Sequence, residues 1–178
     1  AERPTGLRAI APMFTPADLH RADFFQDGAM AAMTFLTWSF DDSIAGHSLD
    51  RLERAGDLDA ETADAARDAL AEALADLDAL AQDRPLATLH ERVLADVGLP
   101  ADVTADDVVP HYREWTRRQD YDDFWRSFDP ELAYGRIGVP GLHVTGWYEL
   151  CQQGTVTNYR GLRDRSHAVQ HLVVDPWA

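Results

Sequence analysis

At 178 residues, 46% of them apolar, the chain has material for one domain with a real core, or for one and a half small ones, and it is not a disordered tail. Asp and Glu number 31 against 16 Lys and Arg, and the net charge of −15 repels phosphate backbones and anionic lipid. Nucleic-acid and membrane-surface partners are thereby disfavoured. A single cysteine, Cys151, excludes an internal disulfide or a cysteine metal cluster and fits a reducing compartment. There is no apolar run near 18 residues and no charged-then-apolar leader, so neither a membrane span nor a signal peptide is visible, and no pattern implies a cofactor.

Three regions follow one another: 1–27, 28–128 and 129–178. In the first, Leu7 to Pro12 is a short apolar run closed by proline, which predicts a buried parallel strand, with Pro12 and Pro16 making a loop after it. The second reads as helix nearly throughout. Ala29 to Trp38 is a small-and-apolar helix, and Asp59 to Gln82 is the clearest helix, with Leu70, Leu74, Leu77 and Leu80 at helical spacing. Pro85 ends it, and a further helix runs from Leu86 to Val97, stopped by Gly98 and Pro100. Thr104 with Asp107 resembles a capping box and opens a helix to about Gln119.

The third region returns to α/β character. Val139 to Thr145 is an apolar strand around Leu142-His143-Val144, the Gly146 turn follows, a helix covers Gln153 to Leu162, and His171 to Val174 is a last strand. Strand, helical insertion, strand, helix, strand is half of an open α/β sheet interrupted by a helical lid.

Chemistry concentrates at Gly146-Trp147-Tyr148-Glu149. In α/β-hydrolases the triad runs in chain order Ser, Asp or Glu, His, each on a loop after a strand. Glu149 occupies the place of the acid, the bland alternative being an ordinary surface carboxylate. No Ser sits in a Gly-x-Ser-x-Gly elbow: Ser39, Ser43, Ser48, Ser127 and Ser166 all lack the glycines. Trp147 and Tyr148 read first as packing residues that fix the turn and second as substrate contacts. Asp120 to Asp123 lacks the glycine and closing glutamate of a calcium loop. His167 and His171 straddle a loop-to-strand transition, so their spacing is chance, and His143 reads as a satisfied core histidine. Cys151 lies near a helix start, a place that lowers a thiol pKa, but no motif supports its catalysis.

Ala9-Ile10-Ala11-Pro12 with Asp18-Leu19, Tyr121 to Trp125, and Tyr134-x-Arg136-Ile137-x-Val139-Pro140 form an ordered set of motifs. Gly146-Trp147-Tyr148, Gly154 with Asn158-Tyr159, and Leu172-Val173-Val174-x-Pro176-Trp177 complete it. Together they resemble the cocaine-esterase and X-prolyl dipeptidyl-peptidase-like hydrolases, the CocE/NonD family, from end to end and least between Asp50 and Thr104. The resemblance implies a partial α/β-hydrolase fold with a large helical cap (lid) at 28–128 between core segments 1–27 and 129–178. It implies a serine hydrolase of acyl esters, amides or X-Pro peptides acting on a small-molecule substrate.

By the same resemblance Glu149 matches the triad acid, usually aspartate, so the carboxylate is carried on one extra methylene. The family's histidine follows Pro-Trp-x, here Pro176-Trp177-Ala178, and Asp175 stands where glycine is usual. Phe24 and Trp38 fall close to aromatic positions that line the acyl pocket in relatives. The expectation is a fragment carrying cap and acid and inactive alone; the alternative is a non-catalytic helical remnant or partner-binding module.

Overall fold

The computed structural model describes residues 4–40, 42–83 and 99–176. The chain divides into two compact units, Ala1–Met30 with Asp120–Ala178 and, separately, Ala31–Gln119. The helix expected over Leu86 to Val97, and the end of the chain at Trp177-Ala178, lie outside the described residues.

In the first unit, β3 (Gly141–Gly146) and β4 (Gln170–Asp175) pair in parallel with Gly141 opposite Gln170 and Gly146 opposite Asp175. Helix α7 (Gln152–Arg165) connects them, the crossover that a parallel pair requires. Segment Ile10 to Phe14 lies along the other edge of β3. The Ile10 N–H donates to the Pro140 carbonyl at 2.9 Å, and the Leu142 and Val144 N–H groups donate to Ile10 and Pro12 at 3.0 Å each. The N–H groups of Gly141 and Trp147 instead face β4, donating to the carbonyls of Val169 and Asp175. β3 is therefore bonded on both sides. The expected first strand is shifted and broken: Leu7 is exposed, and among the described residues it is reduced to isolated parallel bridges, Ile10 with Gly141 and Met13 with Val144. Pro12 has no N–H to give, so a continuous ladder cannot run through it.

Alternation decides the faces of β3. Gly141, His143 and Thr145 are buried, and His143 meets the ring of Tyr159 on α7 with centroids 5.9 Å apart. On the other face Leu142 is 43% and Val173 40% exposed, so these apolar strands are covered on one face. His143 is fully buried but only half satisfied. Its Nε2 lies 3.1 Å from Gln170 Oε1, while Nδ1 has no partner among the described residues. Gln170 Nε2 donates to the carbonyls of Val139 and Ala168, so Oε1 is the acceptor and His143 carries its proton on Nε2.

Helix α7 is fastened through the motif residues. A Cβ on Gly154 would sit 2.7 to 2.9 Å from the backbone of Thr15, Pro16 and Ala17. Thr155 Oγ1 accepts from Thr15 N–H at 2.9 Å, and Asn158 Nδ2 donates to the Pro16 carbonyl at 2.9 Å. Asn158 Oδ1 accepts from the Tyr134 hydroxyl at 2.7 Å.

A second cluster anchors a six-residue π-helical turn, Leu19–Phe24. Asp18 caps it, accepting from the N–H groups of His20 and Arg21 and pairing with the Arg21 guanidinium. His20 stacks on Phe25 at 4.7 Å and meets Tyr121 and Trp125. Arg21 lies 4.4 Å over the Tyr121 ring, whose hydroxyl donates to buried Asp129. Asp122, within the Asp120 to Asp123 acidic run, caps helix α6 (Asp123–Phe128) by accepting from the N–H groups of Phe124 and Trp125. Strands β1 (Phe25–Gln26) and β2 (Ala29–Met30) form a minimal hairpin. Its two turn residues, Asp27 and Gly28, have φ of 51° and 85°, the Asp-Gly signature of a two-residue turn. The helix expected from Ala29 is thus delayed by this turn.

In the second unit, that helix is α1 (Ala32–Phe40), followed by a π-helical turn, Asp42–Gly46. Then come α2 (His47–Ala55), α3 (Ala60–Asp83), α4 (Ala105–Val108) and α5 (Pro110–Arg117). Phe35, Leu36, Leu49, Ala63, Ala66, Leu70, Val108 and Tyr112 make its core. The Thr104–Asp107 capping box forms as expected, but its helix ends at Val108 instead of continuing to Gln119. Pro110 forces the break: it lacks an N–H and disfavours helical backbone at Val109, so α5 starts afresh with proline in its first turn.

Candidate functional site

The C-terminal ends of the parallel strands hold the sequence-predicted acid. The turn after β3 is closed by Glu149 N–H to the Gly146 carbonyl at 3.4 Å and by Gln152 N–H to the Glu149 carbonyl at 3.2 Å. Trp147 N–H donates to the Asp175 carbonyl at 3.0 Å, so the turn carrying Glu149 is tied to the last residue of β4. Glu149 is half-buried, and the buried Thr145 hydroxyl donates to its Oε2 at 3.4 Å.

The residues beside it are not packed. Trp147 is 61% and Tyr148 79% exposed, and Leu150 is exposed as well. The expectation that Trp147 and Tyr148 fix the turn by packing is corrected: backbone hydrogen bonds hold the turn, and the two rings stand in solvent. Phe24 lies in the same unit as Glu149 but is 5% exposed and packs near Trp125, with centroids 6.4 Å apart.

Trp38 belongs to the helical unit, where it is 39% exposed and stacks on Trp115 at 6.0 Å. There Phe35 stacks on Tyr112 at 5.1 Å and His111 lies 4.9 Å from Trp115. Ser39 Oγ lies 3.1 Å from His111 Nε2, a serine–histidine pair brought together from 72 residues apart and marked by no motif. Ser39 is fully buried, so the pair serves packing and not attack on a substrate. Burial holds the His111 imidazole below its ordinary pKa.

Around Glu149 the electrostatics are acidic. The Asp23 carboxyl is pushed up to about 6, first by burial, then by the charges of Asp18 and Glu149. Cys151 departs from expectation in sign: burial, the carboxylates of Asp23 and Glu149, and a hydrogen bond to Glu149 push its thiol up to about 12. Desolvation and two anions outweigh the helix start, so Cys151 is the opposite of an activated nucleophile. Sequence reasoning missed Asp23 and Thr145 as neighbours of the acid. Asp23 is far from Glu149 in the chain and only folding brings them together; the inward alternation of β3 was a signal for Thr145. Among the described residues no group of three or more His, Cys, Asp or Glu is placed to hold a metal ion, and no helix is long and apolar enough to cross a membrane.

Parallel strands joined through a helix, with an acid on the loop after one of them, define an α/β protein with its candidate site at the strand C-termini. All of residues 1–178 match the X-Pro dipeptidyl-peptidase (S15) family, and the chain belongs to it. It is also 31% identical over 174 residues to a cocaine esterase from Rhodococcus sp. (strain MB1 Bresler). The aligned stretch takes in 97% of this chain and 27% of the esterase, so the chain spans about a quarter of that relative's length.

Proposed function

We propose that this chain is the portion of a serine hydrolase that supplies a helical cap and the triad acid, Glu149, for cleavage of small-molecule esters or amides. The observation that carries it is the tie between the two strand ends. Gly146 pairs with Asp175, and Trp147 N–H reaches the Asp175 carbonyl, so the acid's turn stands beside the place where β4 leads into Pro176. A histidine following that Pro-Trp, as in the resemblance, would arrive on the loop next to Glu149.

In that arrangement the Glu149 carboxylate accepts a hydrogen bond from the histidine ring, holding its tautomer and stabilising the imidazolium formed as the serine attacks. The histidine takes the serine proton and returns it to the leaving alcohol or amine. Thr145 holds one carboxylate oxygen, which restrains the longer glutamate side chain. Residues 28–128 form the cap and the flanking segments the core. On the strength of the resemblance, Phe24 and Trp38 are each assigned as acyl-contacting aromatics, and the exposed Trp147 and Tyr148 as substrate contacts. The name of the esterase relative favours an ester as substrate.

The test is Glu149→Gln in a polypeptide that also carries the serine and histidine. A fall in kcat of about 10⁴ with KM little changed is expected. The 178-residue chain alone should not turn over a p-nitrophenyl acyl ester. Activity of the variant within tenfold of the parent removes Glu149 as the acid, and saturable turnover by the chain alone removes its role as a dependent portion.

A further inference from the structure

We propose that Asp23 is a positioning residue for Glu149: a half-buried second carboxyl with a buried, unpartnered oxygen, whose charge beside the acid helps set the field that the reaction's histidine meets. The proposal rests on Glu149 being the triad acid.

Asp23 sits in the π-helical turn Leu19–Phe24, whose end Asp18 fixes. Its Oδ2 is buried with no hydrogen-bond partner among the described residues. A carboxylate oxygen in that position loses water without recovering a donor, so the protonated form is favoured. Among the described residues, Asp18, Glu149 and Cys151 are the titratable groups that act on it or feel its charge. Asp18 is largely committed, to two N–H groups and to Arg21. Glu149 receives the Thr145 hydroxyl and the Cys151 thiol. Asp23 is therefore the carboxyl of this cluster with the least hydrogen bonding to its ionised form. Once ionised, it adds a second negative charge near Glu149, which holds a proton more firmly on any imidazole bound there.

Cys151 supplies a built-in reporter, because it is the only thiol in the chain. Far below its pKa, its alkylation rate by iodoacetamide follows the thiolate fraction and hence the local negative charge. Measured on this chain between pH 8 and 10, Asp23→Asn should raise that rate three- to tenfold. Asp164→Asn, at an exposed site paired with Arg163, should leave it unchanged. Equal rates for Asp23→Asn and the parent overturn the proposal. Should Asp23→Asn not fold, ¹³C titration of the aspartate carboxyls in the unaltered chain decides: one midpoint near 6 supports it, and none above about 5 overturns it.

In the serine- and histidine-bearing polypeptide, Asp23→Asn should move the acid limb of kcat/KM down by about half a pH unit, a shift a purely structural role would not produce. An unmoved limb overturns the effect on the histidine. Loss of the Glu149 role would appear separately, as an active Glu149→Gln enzyme, while the thiol measurement still reports on Asp23.

Discussion

Gly154→Ala sets two effects of opposite sign against each other. Gly154 lies in the first turn of α7, where alanine favours the helix by at most about 1 kcal/mol. The added Cβ would stand 2.7 Å from Ala17 N, 2.8 Å from Pro16 Cα and 2.9 Å from the Thr15 carbonyl oxygen, where ordinary contact begins at 3.4 Å. All three are backbone atoms, so no side chain can swing aside. The helix must back away, and its fastenings are the bonds between Thr155 and Thr15, at 2.9 and 3.1 Å, and between Asn158 and Pro16 at 2.9 Å. Overpacking costs about 1–3 kcal/mol and each lost bond about 1 kcal/mol. Net destabilisation of about 2–3 kcal/mol is expected, read as a lower urea midpoint at constant slope. Gly138→Ala, with nothing within 4 Å of its Cβ, is the control. A Gly154→Ala chain as stable as the parent would show that α7 is not seated on segment 15–17, and would refute the packing account of this motif glycine.

Asp129 accepts from the Tyr121 hydroxyl and from Glu131 N–H at 2.8 Å, and lies 3.6 Å from the Arg21 guanidinium, while itself buried. Asp129→Ala should cost about 2–4 kcal/mol in thermal unfolding, since it strands several partners at once; an unchanged midpoint would refute the network. His111, neutral and held below its ordinary pKa by burial, makes stability pH-dependent. The folded form binds fewer protons than the unfolded, so stability present above about pH 6.5 falls as the pH drops through and below it. His111→Gln should flatten that slope, and tryptophan fluorescence from Trp38 and Trp115, which contact the ring, is the readout. An identical slope in the variant would assign the acid sensitivity elsewhere.

Local sequence was enough for elements whose cause is local. The Thr104–Asp107 box, the period of α3, and the apolar runs of β3 and β4 all read correctly, because capping and periodicity act over a few residues. The place of Glu149 after a strand was legible for the same reason, helped by the motif around it. Proline and an Asp-Gly turn were also in plain sight, yet their weight against helix propensity at Val109 and Ala29 emerged only in the folded chain.

Tertiary structure decided what depends on residues distant in sequence. It placed Asp23 beside Glu149 and Cys151, reversing the expected direction of the thiol's pKa, because desolvation and charge act through space. It turned Trp147 and Tyr148 outward, left one face of the sheet open at Leu142 and Val173, and gave the motif residues Gly154 and Asn158 their purpose against segment 15–17. The sequence by itself determined the long helix α3, the Thr104–Asp107 cap, and the strand and turn that carry Glu149. Which charges meet, and which surfaces remain uncovered, followed from the fold, since burial and electrostatics are properties of neighbours in space.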